Sequence, residues 1–349
     1  MTLATPMAHR RGRSLNVLLT CAGRRNYLVG FFREAMPAQG RVLAADSSED
    51  APALQEADKA FVVPLVSDPL YIDTLLEICV KERVDLLLSL NDLELPVLAR
   101  AREAFLERGT VPVIPSPEVV DVCFDKWRTT EFLRSINLQS PATYRSLRDA
   151  EEAIALGDLT FPAIVKPRRG SASIGIEIVE DLEELKLTCS LAARRSERRS
   201  VASSIQNDGI LIQEQLRGHE FGIDVVNSLE GDTVAVFVKQ KLALRAGETD
   251  RARTVDHPAI EAVGFRLGRE LRHLGNLDCD VFETSRGIVV LELNPRFGGG
   301  YPFSQVAGAN IPAALLAWLI GEVPHPEWLA VTPGVTAAKC DRLVSKRVS

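Results

Sequence analysis

Long apolar runs are missing from this sequence. The longest, Ile311–Ile320 (IPAALLAWLI), falls far short of the ~20 residues a helix needs to cross a bilayer. With Pro312 in its first turn it reads as a buried helix. A strong charge excess is also lacking. The formal net charge is −6 over 349 residues, which calls for neither nucleic acid nor an anionic membrane as a partner. The six cysteines (Cys21, Cys79, Cys123, Cys189, Cys279 and Cys340) are scattered without a C-x-x-C pair. That excludes a zinc knuckle and a disulfide scaffold, and leaves small buried hydrophobes in a reducing cytoplasm. No H-x-x-x-H or H-E-x-x-H spacing joins the five histidines, so neither zinc nor a histidine base is expected. G-x-G-x-x-G, the Walker A pattern and G-x-S-x-G are absent too, which argues against a nicotinamide cofactor, a P-loop and nucleophilic hydrolysis. Residues 1–14 carry Arg10, Arg11 and Arg13 without an apolar leader, and read as a disordered tail.

What is present is ordinary globular material: 46% hydrophobic and 25% charged residues, in a chain long enough for two or three packed units. Short apolar runs at Asn16–Thr20, Arg41–Ala45, Phe61–Pro64, Asp85–Leu90 and Val111–Ile114 alternate with helical spacings near Arg25, at Tyr71–Arg83 and at Glu94–Arg108. This alternation predicts a doubly wound parallel sheet. Ligands in such sheets gather at the carboxyl ends of the strands, here Gly23, Arg24, Asp46, Asn91 and Asp92. Pro115-Ser116-Pro117 marks a junction, and Glu118–Ile136 reads as one helix. From Phe161 strands outnumber helices, at Ala163–Lys166, Gly175–Val179, Ile210–Gln213, Phe221–Asn227, Val234–Lys239, Leu277–Glu283 and Gly287–Leu293. That is α+β organisation. The Arg/Ser-rich stretch 190–208 reads as a solvated helix end or loop.

Three constellations carry chemistry. In the first, a strand delivers Lys166 into the Gly/Ser-rich loop Gly170-Ser171-Ala172-Ser173-Ile174-Gly175. Small residues let backbone N–H groups approach phosphate oxygens, and the lysine adds a point charge. In the second, adjacent strands hold Asp280, then Glu292 and Asn294 two positions apart on one face. Oxygen donors of this kind suit magnesium shared with nucleotide phosphates. Arg296, two residues on, is placed to neutralise charge on a transferred phosphoryl group. In the third, the strand Ile210–Gln213 leaves through Glu214-Gln215-Leu216 toward Glu220. Its backbone offers an edge for adenine, and Glu220 offers an acceptor for ribose hydroxyls. Lys239, Lys241, Arg245 and Arg253 form a polar hairpin-like segment whose cations either orient an acceptor or face solvent. Gly298-Gly299-Gly300 reads as a flexible loop.

The order of these three, ending in E-x-N-P-R, resembles the ATP-grasp superfamily, in particular the ATP-binding unit of the carbamoyl-phosphate synthase large subunit and single-copy carboxylate–amine ligases. The resemblance runs from about Asn16 to Gly321. It implies a pre-ATP-grasp Rossmann-like domain over 15–116 and a two-lobed ATP-grasp domain over 117–325 with its lid at about 160–216. A C-terminal extension follows over 326–349. It also implies ATP with magnesium or manganese. Lys126 (in FDKWRTTEFL) and Lys166 then match the two nucleotide lysines, Gly170, Ser171, Ser173 and Gly175 the phosphate loop, and Glu214 and Leu216 the adenine hinge. Glu220 matches the ribose carboxylate, Asp280, Glu292 and Asn294 the metal ligands, and Arg296 the basic residue near the transferred phosphate. Asp280 stands where the synthase has glutamine. The second ATP-grasp copy, the allosteric domain and a glutaminase are all lacking. The implied activity is phosphorylation of a small-molecule carboxylate to an acyl phosphate that an amine captures. The rival readings are bicarbonate as the carboxylate, giving a carboxy- or carbamoyl-phosphate, and a non-catalytic ATP-binding module. A homodimer through the N-terminal sheet is one form the assembly could take.

Overall fold

The computed structural model describes residues 14–36, 39–170, 174–202 and 209–345. Nearly all of the tail read at residues 1–14 lies outside them. The chain divides into two compact units. One is Met1–Val120, Gly222–Cys279 and Asn294–Ser349, and the other is Asp121–Phe221 and Asp280–Leu293.

The first unit opens with β1 (Asn16–Thr20), α1 (Asn26–Ala35), β2 (Arg41–Asp46), α2 (Pro52–Glu56) and β3 (Lys59–Val62), then α3 (Tyr71–Glu82), β4 (Leu86–Ser89), α4 (Leu95–Arg100), α5 (Arg102–Glu107) and β5 (Val111–Pro112). The strands pair in parallel in the order β3-β2-β1-β4-β5, the doubly wound sheet expected. Every residue of β1 is buried, because helices cover both faces and no position is left for water. The expected helix 94–108 is broken at Ala101, whose ψ of 3° lies outside the helical well.

The second unit contains the second half of α6 (Pro117–Phe124), then α7 (Lys126–Ser135), β6 (Thr143–Tyr144), α8 (Leu147–Leu156), β7 (Ala163–Pro167), β8 (Glu177–Val179), α9 (Leu182–Ala202) and β9 (Ile210–Glu214). The four strands form an antiparallel sheet ordered β6-β9-β7-β8. Its core includes Ala150 and Ala153 from α8, Val165 from β7 and Leu185 from α9. The single helix expected over 118–136 is two. Asp125 ends the first and caps the second by accepting the N–H groups of Trp127 at 3.0 Å and Arg128 at 3.3 Å, as N-cap carboxylates do. The backbone of 182–202 is helical, so much of the stretch read as a helix end or loop continues a long helix.

The remaining elements are β10 (His219–Asn227), β11 (Thr233–Arg245), β12 (Glu248–Thr254), α10 (Pro258–Leu271), β13 (Gly275–Thr284), β14 (Gly287–Asn294), α11 (Tyr301–Val306), α12 (Ile311–Leu319) and β15 (Thr336–Ala338). The six strands are ordered β14-β13-β10-β11-β12-β15, and β10, β13 and β14 contribute residues to both units. The buried helix expected at 311–320 is α12. Successive residues of β1 serve opposite cores. Val17 and Leu19 join α1 and α12 through Phe32, Leu315 and Leu319, whereas Leu18 joins α3 and α5 through Leu75 and Phe105.

Candidate active site

Within the second unit, Asp125 organises the start of the glycine loop. Its buried carboxylate receives Arg168 at 2.7 Å and Arg169 at 3.5 Å. Burial alone would raise the Asp125 pKa. The hydrogen bonds from Arg168 and from the Arg128 N–H, with the charges of Arg168 and Arg169, outweigh it and hold the carboxyl below its usual range. The next residue, Lys126, donates through its backbone N–H to the Arg168 carbonyl at 3.1 Å and through Nζ to the Gly170 carbonyl at 2.7 Å. The same ammonium lies 3.3 Å from Glu292 Oε1. Both left-handed glycines of the loop, Gly170 (φ +149°) and Gly175 (φ +77°), adopt backbones that side-chain-bearing residues avoid. Ser171 and Ser173 lie outside the described residues.

Lys166 is buried at the end of β7 and donates to Gln213 Oε1 at 2.7 Å, while Gln213 donates in turn to Thr143 Oγ1 at 2.8 Å. Burial and then the charge of Lys126 lower the Lys166 pKa to about 8, with Glu292 acting in the opposite direction. Two lysines thus share the field of one carboxylate, in a place where an added anion would relieve both. The sequence-predicted residues Lys126, Lys166, Gly170 and Glu292 are brought together here.

The hinge residues fall as the strand pattern places them. Glu214 closes β9, and its carboxylate accepts the Ala142 N–H at 2.7 Å and a hydrogen bond from Arg286. Leu216 and Glu220 are half-buried beyond it. Gly218 (φ +147°) separates them, and a Cβ there would stand 2.0 Å from the Glu283 carbonyl oxygen.

On β13, Leu277, Cys279 and Val281 are fully buried, leaving Asp278 and Asp280 on the other, half-buried face. Glu292 and Asn294 are likewise half-buried on β14. Among the described residues no group of three or more His, Cys, Asp or Glu side chains converges. Two carboxylates and an amide are a donor set that leaves room for water and phosphate oxygens, which is how magnesium is usually held.

Within the first unit, Arg296 is fixed by Asp92 at 2.7 Å and Asp278 at 3.2 Å, and Arg25 donates to the neighbouring Phe297 carbonyl. Asp92 belongs to the rim read from the sequence. Asp46, also on that rim, is engaged by the Gly23 and Ser48 N–H groups. Two readings are corrected. Lys239 neither faces solvent nor stands ready for an acceptor: it is buried and paired with Asp224 at 2.5 Å, because β11 turns that position inward. The triple glycine is not a slack loop. Gly298 and Gly300 are buried, and a Cβ at Gly298 would come within 2.2 Å of the Asp278 carboxyl atoms, one at Gly300 within 2.8 Å of Lys239 Cε. These glycines serve close packing against charged side chains. Asp125, Asp278 and Gln213 went unread. Only the D-K cap at 125–126 and the i, i+2 spacing of Asp278 with Asp280 offered a signal.

Residues 17–114 match the family described as PylC-like, N-terminal domain, and residues 206–342 match the family described as ATP-grasp in the biosynthetic pathway with Ter operon. The second of these matches is to an ATP-grasp family over the C-terminal part of the chain. The chain is 25% identical over 326 residues to biotin carboxylase of Halalkalibacterium halodurans, covering 86% of this chain and 69% of that protein. It is also 25% identical over 261 residues to the carbamoyl phosphate synthase large chain of Pseudomonas putida, covering 71% of this chain but only 23% of that much longer one. Among solved structures, an ADP complex of purK, N5-carboxyaminoimidazole ribonucleotide synthetase, matches with a TM-score of 0.65 at 17% identity, over 90% of this chain and 78% of that one. That likeness speaks for the ATP-grasp fold alone. Among the described residues no helix is long and apolar enough to cross a membrane.

Proposed function

We propose that this chain is an ADP-forming carboxylate–amine ligase. The carboxylate oxygen of a small acid attacks the γ-phosphorus of ATP and the β,γ-bridging bond breaks, giving an acyl phosphate and ADP. The nitrogen of an amine then attacks the acyl carbon, the carbon–oxygen bond to phosphate breaks, and the nitrogen loses a proton. The observation that carries the reading is the joining of Lys126, Glu292 and buried Lys166 at the root of the glycine loop.

In this reading Lys126 and Lys166 hold nucleotide phosphates, with Gly170, Ser171, Ser173 and Gly175 above them. Glu214 and Leu216 present backbone to adenine, and Glu220 accepts from ribose. Asp280, Glu292 and Asn294 would hold magnesium (or manganese), which when bound neutralises charge on the phosphate oxygens. Arg296, oriented by Asp92 and Asp278, stabilises the transferred phosphoryl group. The protein acts by positioning and preorganised charge, with no covalent enzyme intermediate. Domains at 15–116 and 117–325, a cytoplasmic location and a homodimer belong to the same proposal.

The test is substrate-dependent ADP release across amino acids, small acids and bicarbonate, with products identified by mass. Lys166→Ala should lower turnover more than about 100-fold, as loss of a preorganised charge does. Turnover of the purified variant at the wild-type rate would remove the assignment. ADP release that needs bicarbonate and no other acid would make bicarbonate the carboxylate, and tight ATP binding without release under every substrate would make the chain a binding module.

A further inference from the structure

Beyond Gly321 the chain returns to the triple-glycine loop. β15 pairs antiparallel with β12, matching Arg251 with Ala338 and Arg253 with Thr336. The Lys339 N–H then donates to the Asp250 carbonyl at 2.8 Å. This places the Lys339 backbone opposite Asp250, and its side chain reaches along β12 to Glu248, with Nζ 3.2 Å from Oε2. Both side chains stand over the loop. A Cβ at Gly299 would lie 3.1 Å from Glu248 Oε2 and 3.4 Å from Lys339 Nζ, so a glycine there leaves the pair room.

The surroundings are densely charged yet balanced. Arg25, Arg296 and Lys339 supply three cations, and Asp92, Asp278 and Glu248 three carboxylates. Burial works against ionisation of Glu248, but the charges of Lys339, Arg25 and Arg296 outweigh it and hold its carboxyl below the ordinary range. Tyr27 lies in the field of the same groups: Arg25, Glu248, Arg296 and Asp278. Asp92 has one oxygen, Oδ1, that is buried and accepts no hydrogen bond, so Arg296 uses only half of that carboxylate.

Exposure separates this pair from its neighbour. Lys239–Asp224 is sealed at 1% and 0% side-chain exposure and has no route to exchange partners. Lys339–Glu248 is open at 22% and 58%. An exposed pair contributes little to stability, about 0–1 kcal/mol, so a ligand can split it at small cost. A ligand bearing one charge would leave the other half of the pair unmatched. A ligand bearing both signs a few ångströms apart would match both halves.

We propose that Lys339 and Glu248, set over Gly299 beside Arg25, form the acceptor-binding site for a zwitterionic α-amino acid. Its carboxylate is taken by Lys339 and Arg25 and its ammonium by Glu248. The proposal rests on the ligase reading and names the class of its amine substrate. Lys339 is then a specificity-determining residue supplied by the C-terminal strand.

The test measures binding apart from turnover. Saturation-transfer NMR on the full chain uses mixtures of the proteinogenic α-amino acids, then matched amines and matched carboxylic acids that lack one of the two charges. At least one amino acid should bind, and its single-charge counterparts should bind at least tenfold more weakly. Lys339→Ala and Glu248→Gln should each weaken the amino acid at least tenfold. The exchanged pair Lys339→Glu/Glu248→Lys should stay weak, whereas a merely structural pair would be restored by the exchange. Absence of any amino-acid signal, equal binding of the single-charge analogues, or unchanged affinity in the variants each overturns the proposal. Amino-acid binding that follows this pattern without ADP release would overturn the ligase reading and leave the site standing.

Discussion

Lys166 is the residue on which the proposed chemistry turns, and its environment makes the dependence measurable. Folding lowers its pKa from 10.5 to about 8 through burial and the nearby charge of Lys126. Between those two values the unfolded chain binds more protons than the folded one. This lysine therefore opposes folding at neutral pH, and stability rises as pH increases through that window. The proposed phosphate binding has the opposite preference, because it needs the ammonium. Above pH 8 the free protein loses that charge, and at pH 9 only about a tenth of molecules keep it. The KM for ATP should climb from pH 8 to 9.5 and stay flat below 7.5. In Lys166→Arg, whose guanidinium stays protonated, this alkaline rise should vanish. A rise that persists in the variant would assign it to another group. Asp125 offers a second check at this scale. It caps α7 and holds Arg168 and Arg169 at once, so Asp125→Ala should lower stability by about 1–3 kcal/mol in urea unfolding. The KM for ATP should rise severalfold with it, because Lys126 and the loop share that anchor.

Gly218 shows how one element boundary is enforced. It joins β9 to β10 with a φ of +147°, and a methyl group there would meet the Glu283 carbonyl oxygen at 2.0 Å. That neighbour is backbone and has no rotamer in which to escape. Gly218→Ala should therefore destabilise the chain by at least about 2 kcal/mol and raise the KM for ATP, read from thermal unfolding and initial rates. A variant with wild-type melting and KM would show that the hinge tolerates the shift. The strands on either side were legible because burial on one face repeats every second residue, as in Leu277, Cys279 and Val281. Lys166, Glu292 and Asn294 lie on such strands, and Arg296 two residues past the end of one, at offsets that can be counted in the sequence. Helix α10 was not legible. Gly264 and Gly268 look like breakers in sequence, yet a Cβ at either would come within 2.6 Å of Val236 or Thr233 on β11, so they are there to let helix and sheet close together. Nor was Lys239 legible, because period two alone does not say which face of β11 is buried, and its partner Asp224 lies on another strand. Asp278 escaped notice because its partner Arg296 is distant in sequence, and Lys339 because β15 is only three residues long.

At the scale of the whole molecule, acid stability turns on His273, which follows the left-handed cap residue Arg272 of α10. The imidazole is fully buried, and its Nε2 donates to the Val225 carbonyl at 3.0 Å. Burial lowers its pKa from 6.5 to about 4, against the smaller raising effect of its backbone hydrogen bonds. The sign follows from proton counts. Between pH 6.5 and 4 the unfolded chain takes up a proton that the folded chain refuses, so the stability associated with neutral His273 is whole above 6.5 and is lost as pH falls toward 4. By pH 5 the loss amounts to about 2 kcal/mol. Carboxylates titrate in the same range, so wild type alone cannot isolate the effect. His273→Gln carries a neutral side chain at every pH and is the needed reference. Urea unfolding at pH 7 and pH 5 should show the wild type losing about 2 kcal/mol more than the variant over that interval. Parallel losses in the two proteins would mean that the buried imidazole already accepts its proton in the native state, and that acid unfolding of the first unit starts elsewhere.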